Sequence, residues 1–195
     1  IPDRFFREEC ATLGITLPEV GHYAIGQFFM PRDTSDRRIC EDIVEQTVTE
    51  EGLIFLGWRD VPVDGSDLGK AVKETEPVHR QLFVGRPAEI ATEEEFERKV
   101  YVLRKSVSNK VYKLKDRATA TYYPVSMSAR TIVYKGMVLV TQLGSYFKDL
   151  QDEKARAERI AALADQAAAR ARAEEAARKA AQTEPQPVSE LTDDD

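Results

Sequence analysis

Apolar positions recur in two alternating rhythms as far as residue 150, and the changes of rhythm mark the elements. Tyr23 to Met30 (YAIGQFFM) is almost wholly apolar and stops at Pro31, which predicts a strand. Asp33-Thr34-Ser35 then offers N-cap chemistry for a helix running to Glu51, with Ile39, Ile43, Val44 and Val48 as its apolar stripe and Gly52 as its stop. Leu53 to Val63 (LIFLGWRDVPV) begins as a continuous apolar run and then alternates, which predicts a buried strand emerging at Asp60, and Asp64-Gly65 turns the chain. Val78 to Val84 (VHRQLFV) predicts a third strand, closed by Gly85. Thr92-Glu93-Glu94-Glu95 reads as a capping box, and Phe96, Val100, Leu103 and Val107 after it fall on one helix face. Tyr122 to Tyr134 alternates as a strand, with Val125, Met127 and Ala129 on one side and Ser126, Ser128 and Arg130 on the other, until Lys135-Gly136 ends it. Thr141 opens a short helix bearing Leu143, Tyr146, Phe147 and Leu150. The order β-α-β-β-α-β-α predicts an α+β domain over residues 1–150, with helices packed on a mainly antiparallel sheet.

Beyond residue 150 the rhythm disappears. Residues 151–182 are almost entirely Ala, Glu, Arg, Lys, Asp and Gln. Alanine favours helix, and Asp152 with Arg156, Glu174 with Arg178 and Glu175 with Lys179 form favourable pairs one turn apart. Only Ile160 and Leu163 are large apolar residues there, so no heptad seam exists and a solvated helix is expected. Residues 183–195 are acidic, carry Pro185 and Pro187, and are expected to be disordered.

Composition narrows the class of protein. The chain has 195 residues, 42% hydrophobic and 32% charged, with a net charge of −6. No apolar stretch is long enough to span a membrane, and Ile1-Pro2-Asp3-Arg4 does not open a secretory signal. An acidic chain repels phosphate, which counts against nucleic-acid binding, and the basic runs Arg104-Lys105 and Lys110 to Arg117 read as solvated faces. Two cysteines are too few for a disulfide scaffold, so a reducing cytoplasm is expected. Isoleucine does not initiate translation, so the chain is expected to start within a longer product.

Candidate chemistry is sparse. His22 and His79 are the only imidazoles and have no cluster of ligand residues around them in the sequence, so both read as ordinary structural histidines rather than metal ligands. Cys10 and Cys40 lack CxxC spacing and read as small buried apolar residues. Phosphate-cradling glycine loops and the G-x-S-x-G elbow are absent. Arg130, in Ser126-Met127-Ser128-Ala129-Arg130, has two readings: a carboxylate-binding arginine, or an arginine paired with a neighbouring Asp or Glu, the second being the commoner arrangement. From residue patterns alone the chain is an α+β module with no visible active site.

Five strings share a resemblance. FFREEC (Phe5 to Cys10), LGWRDVPVD (Leu56 to Asp64), TEPVHRQLFVGR (Thr75 to Arg86), FERKVYVLRK (Phe96 to Lys105) and SARTIVYKGM (Ser128 to Met137) resemble, in order and spacing, the amino-terminal glutaminase domain of the glutamate synthase large subunit. That domain is a class II glutamine amidotransferase. The resemblance covers roughly residues 1–150 and implies the N-terminal-nucleophile fold, a four-layer αββα sandwich, of which this chain would supply part. It also implies a chemistry. A chain-terminal cysteine thiolate attacks the glutamine amide, its own α-amine acts as base, and the released ammonia passes to a flavin-bearing domain that aminates 2-oxoglutarate. FMN, an iron–sulfur cluster, the rest of the large subunit and a small subunit are implied for the full-length parent only.

Departures from the family pattern matter as much as the match. Residue 1 is isoleucine, and an internal Cys10 or Cys40 has no free α-amine beside it. The family's nucleophile segment would lie upstream of Ile1, and its His-Ser-Arg-Phe-Ser-Thr and Asn-Gly segments downstream of Leu150. No catalytic, cofactor-binding or metal-binding residue is therefore assigned here, and Arg130 and Lys135 match only in structural roles. The switch to an Ala- and Arg-rich tail is expected from a frameshift in a GC-rich gene or from a gene fragment. Three functions are consistent with these features: an inactive piece of a glutaminase domain, a non-catalytic interaction or vestigial protein with the tail helix as docking arm, and a small-carboxylate binder using Arg130. Missing strands predict exposed apolar faces, open sheet edges and poor solubility.

Overall fold

The computed structural model describes residues 1–114 and 120–151, together with positions 165, 166, 168, 169 and 172. Those five isolated positions are helical and exposed. The helix expected over 151–182 lies, apart from residue 151 and those five positions, outside the described residues, as does the whole tail expected to be disordered over 183–195.

Four strands form one antiparallel sheet: β1 (Tyr23–Met30), β2 (Ile54–Asp60), β3 (Val78–Gly85) and β4 (Tyr123–Ser128), in the order β2-β3-β1-β4. The helices are α1 (Asp3–Thr12), α2 (Thr34–Glu50), α3 (Lys70–Thr75), α4 (Glu93–Lys113), α5 (Leu143–Tyr146) and α6 (Lys148–Gln151). The α+β expectation holds at this level. Neither α1 nor α3 has a strong signal in the sequence pattern; α1 starts behind Pro2 without a side-chain cap, and α3 has no buried residue.

Side chains alternate across a strand, so each strand feeds both faces of the sheet. On one face Ala24, Phe28, Met30, Leu82, Val84 and Met127 pack beneath α2 and α4. Helix α4 supplies Phe96, Val100, Leu103 and Val107, all fully buried as expected, and Val111 extends the same face. The Thr92 hydroxyl accepts from the Glu95 N–H and so caps α4. In α2 the stripe is displaced: Cys40, Val44, Thr47 and Val48 are buried, whereas Ile39 is exposed. Thr47 is tolerated inside because its hydroxyl donates to the Ile43 carbonyl at 2.5 Å.

The other face is covered by α1 and by residues 129–151. Phe5, Phe6, Cys10, Leu17, Tyr23, Ile25, Phe83 and Ile132 form one cluster there, and Val61, Leu68, Tyr146 and Phe147 a second. The bare apolar face expected for this sheet is thus clothed by α1 and residues 129–151, while among the described residues the edges at β2 and β4 pair with no further strand. Two strand expectations need correction. The β2 run is an edge strand with Ile54 and Phe55 exposed, because its apolar residues cover one flank of a rim rather than a central position. The strand expected to reach Tyr134 ends at Ser128, after which the chain leaves the sheet to cross its second face.

Candidate functional site

A bulge in β2 decides which side chains meet on the second face. Phe55 pairs with Val84 and Gly57 with Phe83, so Leu56 is an extra residue on that strand. Such an insertion exchanges the faces of all following residues. Trp58 consequently packs on the helix side, and Arg59 faces the opposite way, beside Gln81. Gly57 sits at φ +150°, and a Cβ there would lie 2.6 Å from Ile15, so only glycine fits the bulge.

Arg59 is 3% exposed and anchors a polar network inside an otherwise apolar layer. Its Nη1 and Nη2 donate to the two carboxylate oxygens of Asp149 on α6, each at 2.8 Å, in a bidentate fork. Nη2 also donates to Glu9 on α1 at 2.7 Å, and Nη1 to Oε1 of Gln81 at 3.0 Å. The Tyr134 hydroxyl donates to Asp149 at 2.7 Å. One guanidinium therefore fastens both covering segments to the sheet. Burial would by itself lower the Arg59 pKa, but the bonds to Asp149 and Glu9 outweigh it and hold the pKa above its usual value. Burial, with Asp149 adding to it, raises the Tyr134 phenol.

His79, on the same face, is equally enclosed. Its Nε2 lies 2.8 Å from the Tyr146 hydroxyl, which in turn donates to Glu76 at 2.6 Å. A hydroxyl that donates to a carboxylate must accept from the imidazole, so His79 carries its proton on Nε2. Phe29, Tyr146 and Phe147 pack edge-on around the ring. Burial lowers its pKa to about 4, so the ring is neutral at physiological pH.

The residues singled out in the sequence are not brought together. His22 is half-buried against Arg86. Cys10 and Cys40 are wholly buried on opposite sides of the sheet, and burial pushes both thiols up to about 11. Arg130 pairs with Glu93 at 2.7 Å and Glu94 at 3.0 Å, at the start of α4. Lys135 sits over the Tyr123 ring, 4.8 Å from its centre. Among the described residues no three His, Cys, Asp or Glu side chains are placed to share a metal ion. Pattern reading passed over Gln27, Gln81, Arg59 and Asp149. The available signal was a lone glutamine at the middle of each of two apolar strands, YAIGQFFM and VHRQLFV.

The family model for class-II glutamine amidotransferases matches residues 1–164. The chain belongs to that family. Among its relatives are the NADPH glutamate synthase large chains of Bacillus subtilis, 38% identical over 78% of this chain, and of Azospirillum brasilense, 34% identical over 79%. The ferredoxin-dependent glutamate synthase 2 of Arabidopsis thaliana, named as chloroplastic, is 36% identical over 78%. The chain spans about a tenth of the length of these curated relatives. In this class-II amidotransferase chain, the strings that carried the resemblance also build the Arg59 network. Phe5 to Cys10 brings Glu9, Leu56 to Asp64 brings the bulge and Arg59, Thr75 to Arg86 brings His79 and Gln81, and Ser128 to Met137 brings Tyr134. Among the described residues no helix is long and apolar enough to cross a membrane.

Proposed function

We propose that residues 1–150 are the supporting interior of a glutaminase domain in a cytoplasmic glutamate synthase, and that the chain by itself does not hydrolyse glutamine. The observation that carries this reading is the state of the thiols. Thiolate attack on an amide needs an accessible sulfur of low pKa. Cys10 and Cys40 are both fully buried, with thiols raised to about 11. In this reading the four-stranded sheet is one half of an αββα sandwich, and its partner in the assembly is the rest of the large subunit, with a small subunit beyond. The parent would release ammonia from glutamine and pass it on to make glutamate from 2-oxoglutarate.

Flavin and iron–sulfur chemistry belongs, on this reading, to the rest of such a polypeptide. The two cysteines lie on opposite sides of the sheet and do not fit a cluster. A glutaminase assay on the 195-residue chain tests the proposal. No glutamate is expected from glutamine; release that is lost on Cys10→Ala or Cys40→Ala would overturn it.

A further inference from the structure

The polar network continues past Arg59 as a row across the whole sheet. Arg59 on β2 is in register with Gln81 on β3, Gln81 with Gln27 on β1, and Gln27 with Ser126 on β4. The row has a direction, because a guanidinium can only donate. Arg59 Nη1 donates to Oε1 of Gln81, which orients that amide so that its Nε2 donates to Oε1 of Gln27 at 3.1 Å. Gln27 cannot be turned round without setting two NH2 groups against each other. Its own Nε2 is therefore left on the side away from Gln81.

At that end the row stops short. Gln27 is wholly buried, and neither its Nε2 nor Oγ of Ser126 has a hydrogen-bond partner among the described residues. A buried polar group left unsatisfied is costly, and here two of them are cross-strand neighbours. Ser126 also lines an open groove of about 760 Å³ between α4 and the free edge of β4, although its Oγ is itself enclosed. The groove carries Glu94 and Glu97, and Glu97 is held against β4 by Oγ of Ser128 at 2.6 Å and the Ala129 N–H at 2.7 Å. A fixed carboxylate beside the opening disfavours an anion.

We propose that Gln27 Nε2 and Ser126 Oγ form a binding site for one neutral acceptor oxygen, borne either by an internal water or by the carbonyl group of a small amide. The oxygen accepts from Gln27 and meets the Ser126 hydroxyl, which completes the row from β2 to β4. Nothing in this assignment depends on glutaminase chemistry.

Solution NMR on the 195-residue chain with 15N-labelled glutamine side chains tests it. The Gln27 amide protons are expected to show a cross-peak to a long-lived water, and Ser126→Ala is expected to abolish or weaken it while the backbone spectrum stays in place. Titration with acetamide separates the two sources of the oxygen. Displacement of the water peak with a shift of the Gln27 amide identifies a carbonyl site; persistence of the water peak identifies a structural water. A Gln27 amide with no cross-peak to water or to acetamide, or one that donates directly to Ser126 Oγ in a crystal structure, overturns the proposal. The cross-peak in the unmutated chain decides the matter even where the variant does not fold.

Discussion

The two faces of the one sheet are held in place by different physics. Under α2 and α4 the layer is mainly apolar, with Thr47 and the Glu41–Arg80 pair as its polar members, and its stability comes largely from burial of side chains such as Phe28, Leu82, Phe96 and Leu103. Beneath α1 and residues 129–151 the layer mixes aromatic rings with a charged clasp, in which Arg59 holds Asp149, Glu9 and Gln81 at once. The hydrophobic driving force is non-directional. A bidentate ion pair tolerates neither sliding nor the loss of a partner. The lesson is that the helix side supplies stability, whereas the clasp side registers two covering segments against the strands.

That contrast can be broken first at the clasp. Asp149→Ala leaves a buried guanidinium with only Glu9 as counter-charge and is expected to cost roughly 3–5 kcal/mol, read by urea denaturation. The double replacement Arg59→Met with Asp149→Leu is expected to recover part of that loss, since the one carboxylate then left without Arg59, Glu9, is 41% exposed to water. Full additivity of the two single changes would show that the clasp is not a unit. On the helix side, Leu103→Ala is expected to cost roughly 2–5 kcal/mol without altering protease sensitivity of residues 129–151. The clasp variant should expose that segment to cleavage.

Acid separates the faces further. His79 has a folded-state pKa lowered by burial to about 4, against an ordinary value of 6.5. The unfolded chain therefore binds the proton first. Stability from this group is complete above about pH 6.5, falls as the pH drops towards 4, and levels off below; the difference amounts to about 3 kcal/mol. His79→Gln should flatten the stability curve across that window relative to the unmutated chain, and an unchanged slope would contradict the buried neutral imidazole. Smaller effects are expected at the margins. Thr92→Ala removes the cap of α4 and should cost about 1 kcal/mol. Arg130→Gln breaks only exposed pairs with Glu93 and Glu94 and should leave the melting temperature unchanged.

Helix α4 and strands β1 and β3 were legible because local pattern and tertiary role agree. The spacing from Phe96 to Val107 makes a buried stripe on any helix, and Pro31 and Gly85 close their strands wherever these lie. In α2 the pattern misled by one position, because Ile39 looks more apolar than Cys40 or Thr47 but points to solvent. The apolar run of β2 predicted a buried strand, yet an edge strand can carry the same run when only one flank is covered. The Arg59 site was less legible still. Its members come from positions 9, 27, 59, 81, 134 and 149, and local periodicity carries no information on such separations.

What the sequence by itself determined was β1, β3, α2, α4 and the family resemblance, since caps, turns and period depend on neighbours a few residues apart. Tertiary structure alone decided that Leu56 bulges out, that Arg59 consequently faces inward, and that its charge is answered by Asp149 ninety residues away. The reason is physical. A side chain's face is set by strand register, and register is settled only when whole strands pair and bury their apolar sides together.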